Sequence, residues 1–279
     1  MTESYAIVSN ALTKNFGSVN AVKNLNLKIP YGKTYGLLGP NGAGKTTTVR
    51  ILNAIISKTS GKASVGGYDL LTQNEDIRRI CGFLPESPGL YSKLTAKEFL
   101  EFIGELYYLP KDVISERITE LLELFSLIGR ENDLLEGYSR GMKQKVCLCA
   151  ALIQDPEIIF LDEPTSNLDP ATARMVKNLI SQLVKKADKT VFICTHLLDS
   201  AEELCDIIGI IVNGELKMEG TPKEIVESVG AKDLEEAYLK ITGASHIDDL
   251  LAWRDENSDY SIVNNKKQKK SKKKNKTSR

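Results

Sequence analysis

An α/β fold built on a mostly parallel sheet is predicted by three features of this 279-residue chain. Short apolar strands alternate with amphipathic helices from residue 158 onward. A glycine-rich loop, Gly39–Thr46, lies between a strand-like run and a helix-like one. Sequential strand patterns near the N-terminus add an antiparallel portion ahead of that alternation.

In chain order, Leu25, Leu27 and Ile29 alternate with Asn24, Asn26 and Lys28, the period of a half-buried strand. Pro30-Tyr31-Gly32 makes a turn, Thr34–Leu38 a short strand and Thr46–Ile55 a helix. Gly66-Gly67 punctuates another strand region, and Ile80–Leu84 reads as a further strand. The texture changes after Pro88. Thr95-Ala96-Lys97-Glu98 is a capping box that opens a helix running to about Tyr107. A second helix follows Pro110, with Ile114, Ile118, Leu121, Leu122 and Phe125 at helical spacing, and a third starts at Ser139. Residues 88–155 are thus expected to form an inserted helical subdomain. The alternation then resumes with strand Ile158–Leu161, helix Ala171–Lys185, strand Thr190–Cys194 and helix Leu197–Leu204. Strands Ile207–Val212 and Glu215–Met218 close it, joined by a hairpin at Gly214.

Composition bounds the function classes. The charged fraction and 42% hydrophobic content are those of an ordinary globular protein. No apolar run approaches the ~18 residues that a membrane-spanning helix needs, and Met1-Thr2-Glu3-Ser4 lacks the shape of a signal peptide. The expectation is a cytoplasmic protein, unless a partner ties it to a membrane. The zero net charge hides an asymmetry: residues 264–279 hold eight Lys, one Arg and no acid. The remaining 28 basic side chains face 37 acidic ones, a formal charge of −9 for residues 1–263. Such a tail cannot bury apolar surface and is expected to be a solvated, disordered segment. Its Lys stripe could also adsorb to anionic lipid headgroups, at about 1 kcal/mol per residue near the surface. Nucleic acid is the weakest reading, since no aromatic residue follows Tyr260. Five Cys, at 81, 147, 149, 194 and 205, show no metal-ligand spacing and are expected to be reduced, packed thiols.

Gly39-Pro40-Asn41-Gly42-Ala43-Gly44-Lys45-Thr46 fits the G-x-x-x-x-G-K-[ST] pattern, after a strand and at the start of a helix. Its glycines let backbone N–H groups turn toward phosphate oxygens, and the helix N-terminus adds positive charge. Lys45 would reach the β- and γ-phosphates, and the Thr46 hydroxyl would bind Mg²⁺. The loop alone leaves GTPases, kinases and ATPases open. Downstream, strand Ile158–Leu161 ends at Asp162, where a carboxylate can hold Mg²⁺. The adjoining Glu163 can orient and polarise an attacking water. A Tyr138-Ser139-Arg140-Gly141-Met142-Lys143-Gln144 segment opens a helix about twenty residues before that pair.

Taken together, these motifs resemble the ATP-binding subunits of ABC transporters. The order is phosphate loop, Ser139-x-Gly141, Asp162-Glu163, Leu168-Asp169 and Thr195-His196, over residues 5–243. The resemblance implies a P-loop NTPase core with the cassette in residues 1–243, an extension in 244–263 and the basic tail in 264–279. It implies ATP as substrate, bound by Phe16, Gly39, Pro40, Asn41, Gly42, Ala43, Gly44, Lys45, Thr46 and Thr47, with Phe16 stacking on adenine. Ser139 and Gly141 would face ATP bound to a second, identical or closely related subunit, and Asp169 would contact that subunit. Mg²⁺ would be held by Thr46, Asp162 and Glu86, the last standing where the family pattern expects Gln. Glu163, His196 and Lys45 would carry catalysis, His196 by touching the γ-phosphate. The pattern Leu-Ser-Gly-Gly-Gln is here Tyr-Ser-Arg-Gly-Met, leaving Arg140 either as an added cation or pointing to solvent. With Pro85-Glu86 and the segment 233–243, this looks like the drug-, lipid- and sodium-export branch. That branch implies a multi-spanning membrane permease as partner and a place on the cytoplasmic face of the membrane. The alternative is a non-transport relative acting on ribosomes or nucleic acid.

Overall fold

The computed structural model describes residues 4–87, 89–166 and 168–243, so the expected segments 244–263 and 264–279 lie outside the described residues. Through Ile241 the chain forms one compact unit. Two long strands, β1 (Tyr5–Phe16) and β2 (Val19–Pro30), pair antiparallel. The period-two run Leu25, Leu27, Ile29 buries its apolar side, as the alternation predicts. β1 has no clean alternation because its register slips four times against β2, with Ala11 at φ 48° and Asn24 at φ 47°. Bulges of this kind shift side chains between faces and erase the period.

β3 (Thr34–Leu38) is wholly buried, and α1 (Lys45–Leu52) follows the glycine-rich loop. The helix begins one residue before the expected Thr46 and stops short of Ile55. β4 (Ser60–Val65) and β5 (Tyr68–Asp69) complete a four-stranded antiparallel sheet in the order β2-β1-β4-β5. Ile80, expected as the first strand residue, instead closes a short helix, α2 (Asn74–Ile80), and β6 (Cys81–Leu84) starts after it.

Three α-helices lie between β6 and the next strand among the described residues: α3 (Ala96–Leu106), α4 (Lys111–Leu124) and α5 (Arg140–Leu152). Thr95 and Glu98 form the capping box on α3, with both reciprocal hydrogen bonds made. Phe99 and Leu100, Ile114, Ile118 and Leu122, and Val146 and Cys149 bury one face of each helix in a common core. β7 (Ile158–Asp162), α6 (Pro170–Ala187), β8 (Thr190–Thr195), α7 (Leu198–Leu204), β9 (Ile207–Val212) and β10 (Glu215–Gly220) follow. Two helices not anticipated in full, α8 (Pro222–Ser228) and α9 (Leu234–Thr242), come last.

The second sheet runs β10-β9-β3-β8-β7-β6, parallel except for β10. Both faces are covered, so its strands read as continuous apolar runs. Along β7, Ile158 and Phe160 point into the core shared with the antiparallel sheet. Ile159 and Leu161 point into the core shared with the helices. The rings of Phe160 and Phe192 lie 5.5 Å apart between the two sheets. All five Cys are buried and unbridged, and burial pushes the Cys147 and Cys205 thiols up to about 12. Packing is therefore their role, as the sequence suggests. No described helix is long and apolar enough to cross a membrane.

Candidate functional site

In a parallel sheet covered on both faces, ligands bind outside the carboxyl ends of the strands. β3, β8 and β7 are neighbours here, with Leu38 opposite Thr195 and Asp162 opposite Cys194. Register alone therefore brings the glycine-rich loop, Asp162-Glu163 and Thr195-His196 to one edge. The loop and the acidic pair border a cavity of about 710 Å³ lined by Asn41, Gly42, Gly44, Lys45, Thr46, Thr47, Glu86, Asp162 and Glu163, with Asn213 from the β9–β10 turn. Ser18, Val19, Asn20, Ala21 and Lys23 close it on the side of the antiparallel sheet.

Lys45 is buried, and its Nζ donates to the carbonyls of Gly39 (2.7 Å) and Pro40 (3.2 Å) at the rim of the loop. The same Nζ stands 3.9 Å from Glu163 Oε1. Asp162 is 1% exposed, and neither of its carboxylate oxygens has a hydrogen-bond partner. Burial raises its pKa, the Thr46 hydroxyl opposes that shift, Glu86 and Glu163 add to it, and Lys45 opposes it. A buried carboxylate without partners, beside a hydroxyl and a second carboxylate, fits a divalent cation that keeps most of its water and substrate oxygens as ligands. No group of three or more acidic, His or Cys side chains forms a protein-only metal cage among the described residues.

Glu163 has the most constrained side chain of the site. Its backbone sits at φ 53°, a conformation that non-glycine residues hold at a cost of about 1–3 kcal/mol. Its N–H donates to Cys194 O at 2.8 Å. Ser166 Oγ (2.7 Å) and Thr195 Oγ1 (3.2 Å) donate to Oε2, and His196 Nδ1 lies 2.8 Å from Oε1. His196 therefore engages Glu163 within its own chain, and Thr195 and Ser166 join it as residues whose part the motifs did not announce. A hydroxyl three residues after an acid, across a turn, was the available signal for Ser166.

Two helix N-termini lie side by side next to this centre. Ser139 caps α5, accepting from Met142 N at 3.2 Å, and Asp169 caps α6, accepting from Thr172 N at 3.0 Å. The Thr172 hydroxyl and backbone bonds hold Asp169 below the usual carboxylate range. A methyl built on Gly141 would come no nearer than 3.6 Å to Thr172 Oγ1 and 3.7 Å to Asp169 Oδ2. The chain's own packing thus leaves room for a side chain at Gly141.

Not every expected residue borders the cavity. Phe16 is 50% exposed, outside the cavity wall, and its ring carries Lys14 Nζ at 4.8 Å from its centroid. Its cross-strand partner Val19 does line the cavity. Gly39, Pro40 and Ala43 shape the loop from behind, and Ser139, Gly141 and His196 stand outside the wall.

This geometry defines a P-loop nucleotide enzyme whose acidic pair and second helix N-terminus adjoin one cavity. The family profile described as ABC transporter matches residues 22–166, and the chain belongs to that family as an ATP-binding, ATP-hydrolysing subunit. It is 36% identical to the ABC transporter ATP-binding protein NatA of Bacillus subtilis (strain 168) over 222 residues, covering 79% of this chain and 90% of that protein. It is 38% identical to the bacitracin transport ATP-binding protein BcrA of Bacillus licheniformis over 224 residues, covering 80% and 72%. A solved dimeric ATP-binding cassette in a post-hydrolysis state, bound to ADP and Pi, superimposes with a TM-score of 0.71. That structure is 28% identical and covers 77% of this chain and 98% of its own.

Proposed function

We propose that this chain hydrolyses ATP to drive a separate multi-spanning membrane permease, from the cytoplasmic face of the membrane and in the export direction. The observation that carries the proposal is the joining of Lys45, Asp162 and Glu163 at one cavity beside two exposed, capped helix N-termini. The first group suits the nucleotide of its own chain, and the second suits the nucleotide of a facing copy. The dimeric form of the solved relative and the bacitracin transport name of BcrA support this reading. Resemblance to the export branch supports the direction.

Lys45 exchanges the carbonyls of Gly39 and Pro40 for phosphate oxygens when ATP enters. Thr46 and Asp162 would hold Mg²⁺, with Glu86 in reach, and the ion would offset charge developing on the phosphates. Glu163, held by Ser166, Thr195 and His196, orients the water for in-line attack on the γ-phosphorus. Ser139 and Gly141 close the partner's site. Removing one support, S166A, leaves Glu163 Oε2 with Thr195 Oγ1 as its remaining donor. Turnover is expected to fall about three- to tenfold with little change in KM for ATP, measured by steady-state phosphate release. For Gly141→Ala, where the chain's own packing has room, the thermal midpoint is expected to hold. Turnover should fall at least about tenfold if a partner's phosphate approaches that backbone.

The permease has a suitable seat. A groove of about 360 Å³ between β6, α3 and α5 is lined by Ile55, Phe83, Phe99, Ile103, Leu106 and Tyr107 among others. Leu106 is 58% exposed and Tyr108, nearby, 93%. An apolar groove of this kind accepts one face of an amphipathic helix. The basic tail would add attraction to anionic lipid headgroups. Isolation of the chain from detergent-solubilised membranes is expected to recover a multi-spanning membrane protein. Leu106→Asp is expected to lose that partner and keep the ATPase. Recovery with ribosomes or DNA instead would overturn the proposal.

A further inference from the structure

A second cavity, of about 490 Å³, adjoins the nucleotide cavity and shares Glu86 and Glu163 with it. Its wall also carries Arg140 and Lys143 from the first turn of α5. Two carboxylates and two cations therefore face one space. A free phosphate there would meet as much negative as positive charge, so an anion-binding site does not follow. Internal compensation does. Glu86 is exposed at the border of both cavities and has two electrostatic destinations. On one side lie Asp162 and the phosphates, where a further negative charge repels. On the other side lie Arg140 and Lys143.

We propose that Arg140, seconded by Lys143, is a positioning residue that draws the Glu86 carboxylate into the second cavity and away from the triphosphate. Arg140 thereby acts within its own chain. Arg140 opens α5 directly after its cap Ser139 and lines the cavity that Glu86 borders. The inference rests on reading the first cavity as the nucleotide site.

The test is equilibrium binding of a non-hydrolysable ATP analogue to the full chain, with Mg²⁺ and with EDTA. R140Q is expected to weaken binding in EDTA about three- to fivefold, the range for a partly exposed charge pair. The loss should be smaller with Mg²⁺, which can take up the Glu86 charge. In an E86Q background the same R140Q change is expected to alter affinity by less than about twofold, because coupled groups are non-additive. R140K is expected to restore binding. An equal effect of R140Q in both backgrounds would overturn the proposal. K143Q carries the same cycle should R140Q lower the thermal midpoint. A wild-type chain that binds no analogue would overturn the nucleotide reading itself, a result distinct from additivity.

Discussion

Glu163→Gln is expected to lower ATPase turnover by about 10²–10³-fold while nucleotide affinity stays within about threefold. The substitution preserves shape and most of the hydrogen bonds. An amide oxygen can accept from Ser166 and Thr195, which both donate to Oε2. The amide nitrogen can donate to His196 Nδ1 in its other tautomer, in place of the 2.8 Å contact at Oε1. What is lost is the proton-accepting charge, and with it the means to polarise water. Affinity survives because Lys45, Thr46 and the loop are untouched. An ATP-bound dimer should then accumulate, visible by size-exclusion chromatography with ATP and Mg²⁺. Single-turnover phosphate release measures the chemistry directly. Unchanged turnover would remove Glu163 from the role of base and shift it to His196 or to solvent. The loss should exceed that of S166A, because S166A leaves the carboxylate in place with Thr195 and His196 still on it.

Most of what makes the site was legible because it is local. Gly39–Thr46 needs only a strand before it and a helix after it, and both are readable from period and glycine spacing. That the sheet is mostly parallel also follows from strand–helix alternation, whereas the order β3-β8-β7, which delivers Asp162 and Thr195 to the same edge, does not. What escaped depends on long-range geometry. β1 was hidden because its bulges break the two-residue period. α8 was missed although Thr221-Pro222-Lys223-Glu224 is a capping box with Pro at the first turn, because a seven-residue helix has little periodicity. Ser166 reaches Glu163 only because Glu163 adopts φ 53° and folds the chain back on itself, with Ser166 N 3.2 Å from Glu163 O. The second cavity joins Glu86 to Arg140 across more than fifty residues, which no spacing rule reports. Val19 and Ala21 line the nucleotide cavity for the same reason: the hairpin of the other sheet folds over the loop.

Gly44→Ala is expected to cost about 3 kcal/mol of stability, from two separable sources. One is backbone conformation: Gly44 sits at φ 106°, outside the range where side chains are comfortable. The other is space: an added Cβ would stand 2.2 Å from the carbonyl oxygen of Ala21 in β2. Backbone, unlike a flexible side chain, cannot swing aside. The thermal midpoint should drop by roughly 6–12 °C for a unit of this size. Gly42→Ala separates the two causes. Gly42 also has positive φ, at 79°, but nothing lies within 4 Å of its Cβ direction, so only the backbone penalty of about 1–3 kcal/mol should remain. The difference between the variants, read from denaturant or thermal unfolding, isolates the clash. Nucleotide affinity should fall with Gly44→Ala well beyond the stability loss, because Ala21 is itself part of the cavity wall. The loop is further tied there through Gly214, which donates to Ala43 O at 2.9 Å and accepts from Lys23 N at 2.7 Å. Moving Gly44 therefore pushes on the antiparallel sheet and the β9–β10 turn together. Those two segments supply Val19, Asn20 and Asn213 to the cavity wall, where the nucleoside end is expected once Lys45 and Thr46 hold the phosphates. A single methyl at the phosphate end is thus expected to disturb recognition of the nucleoside end, which no contact between Gly44 and a base is needed to explain.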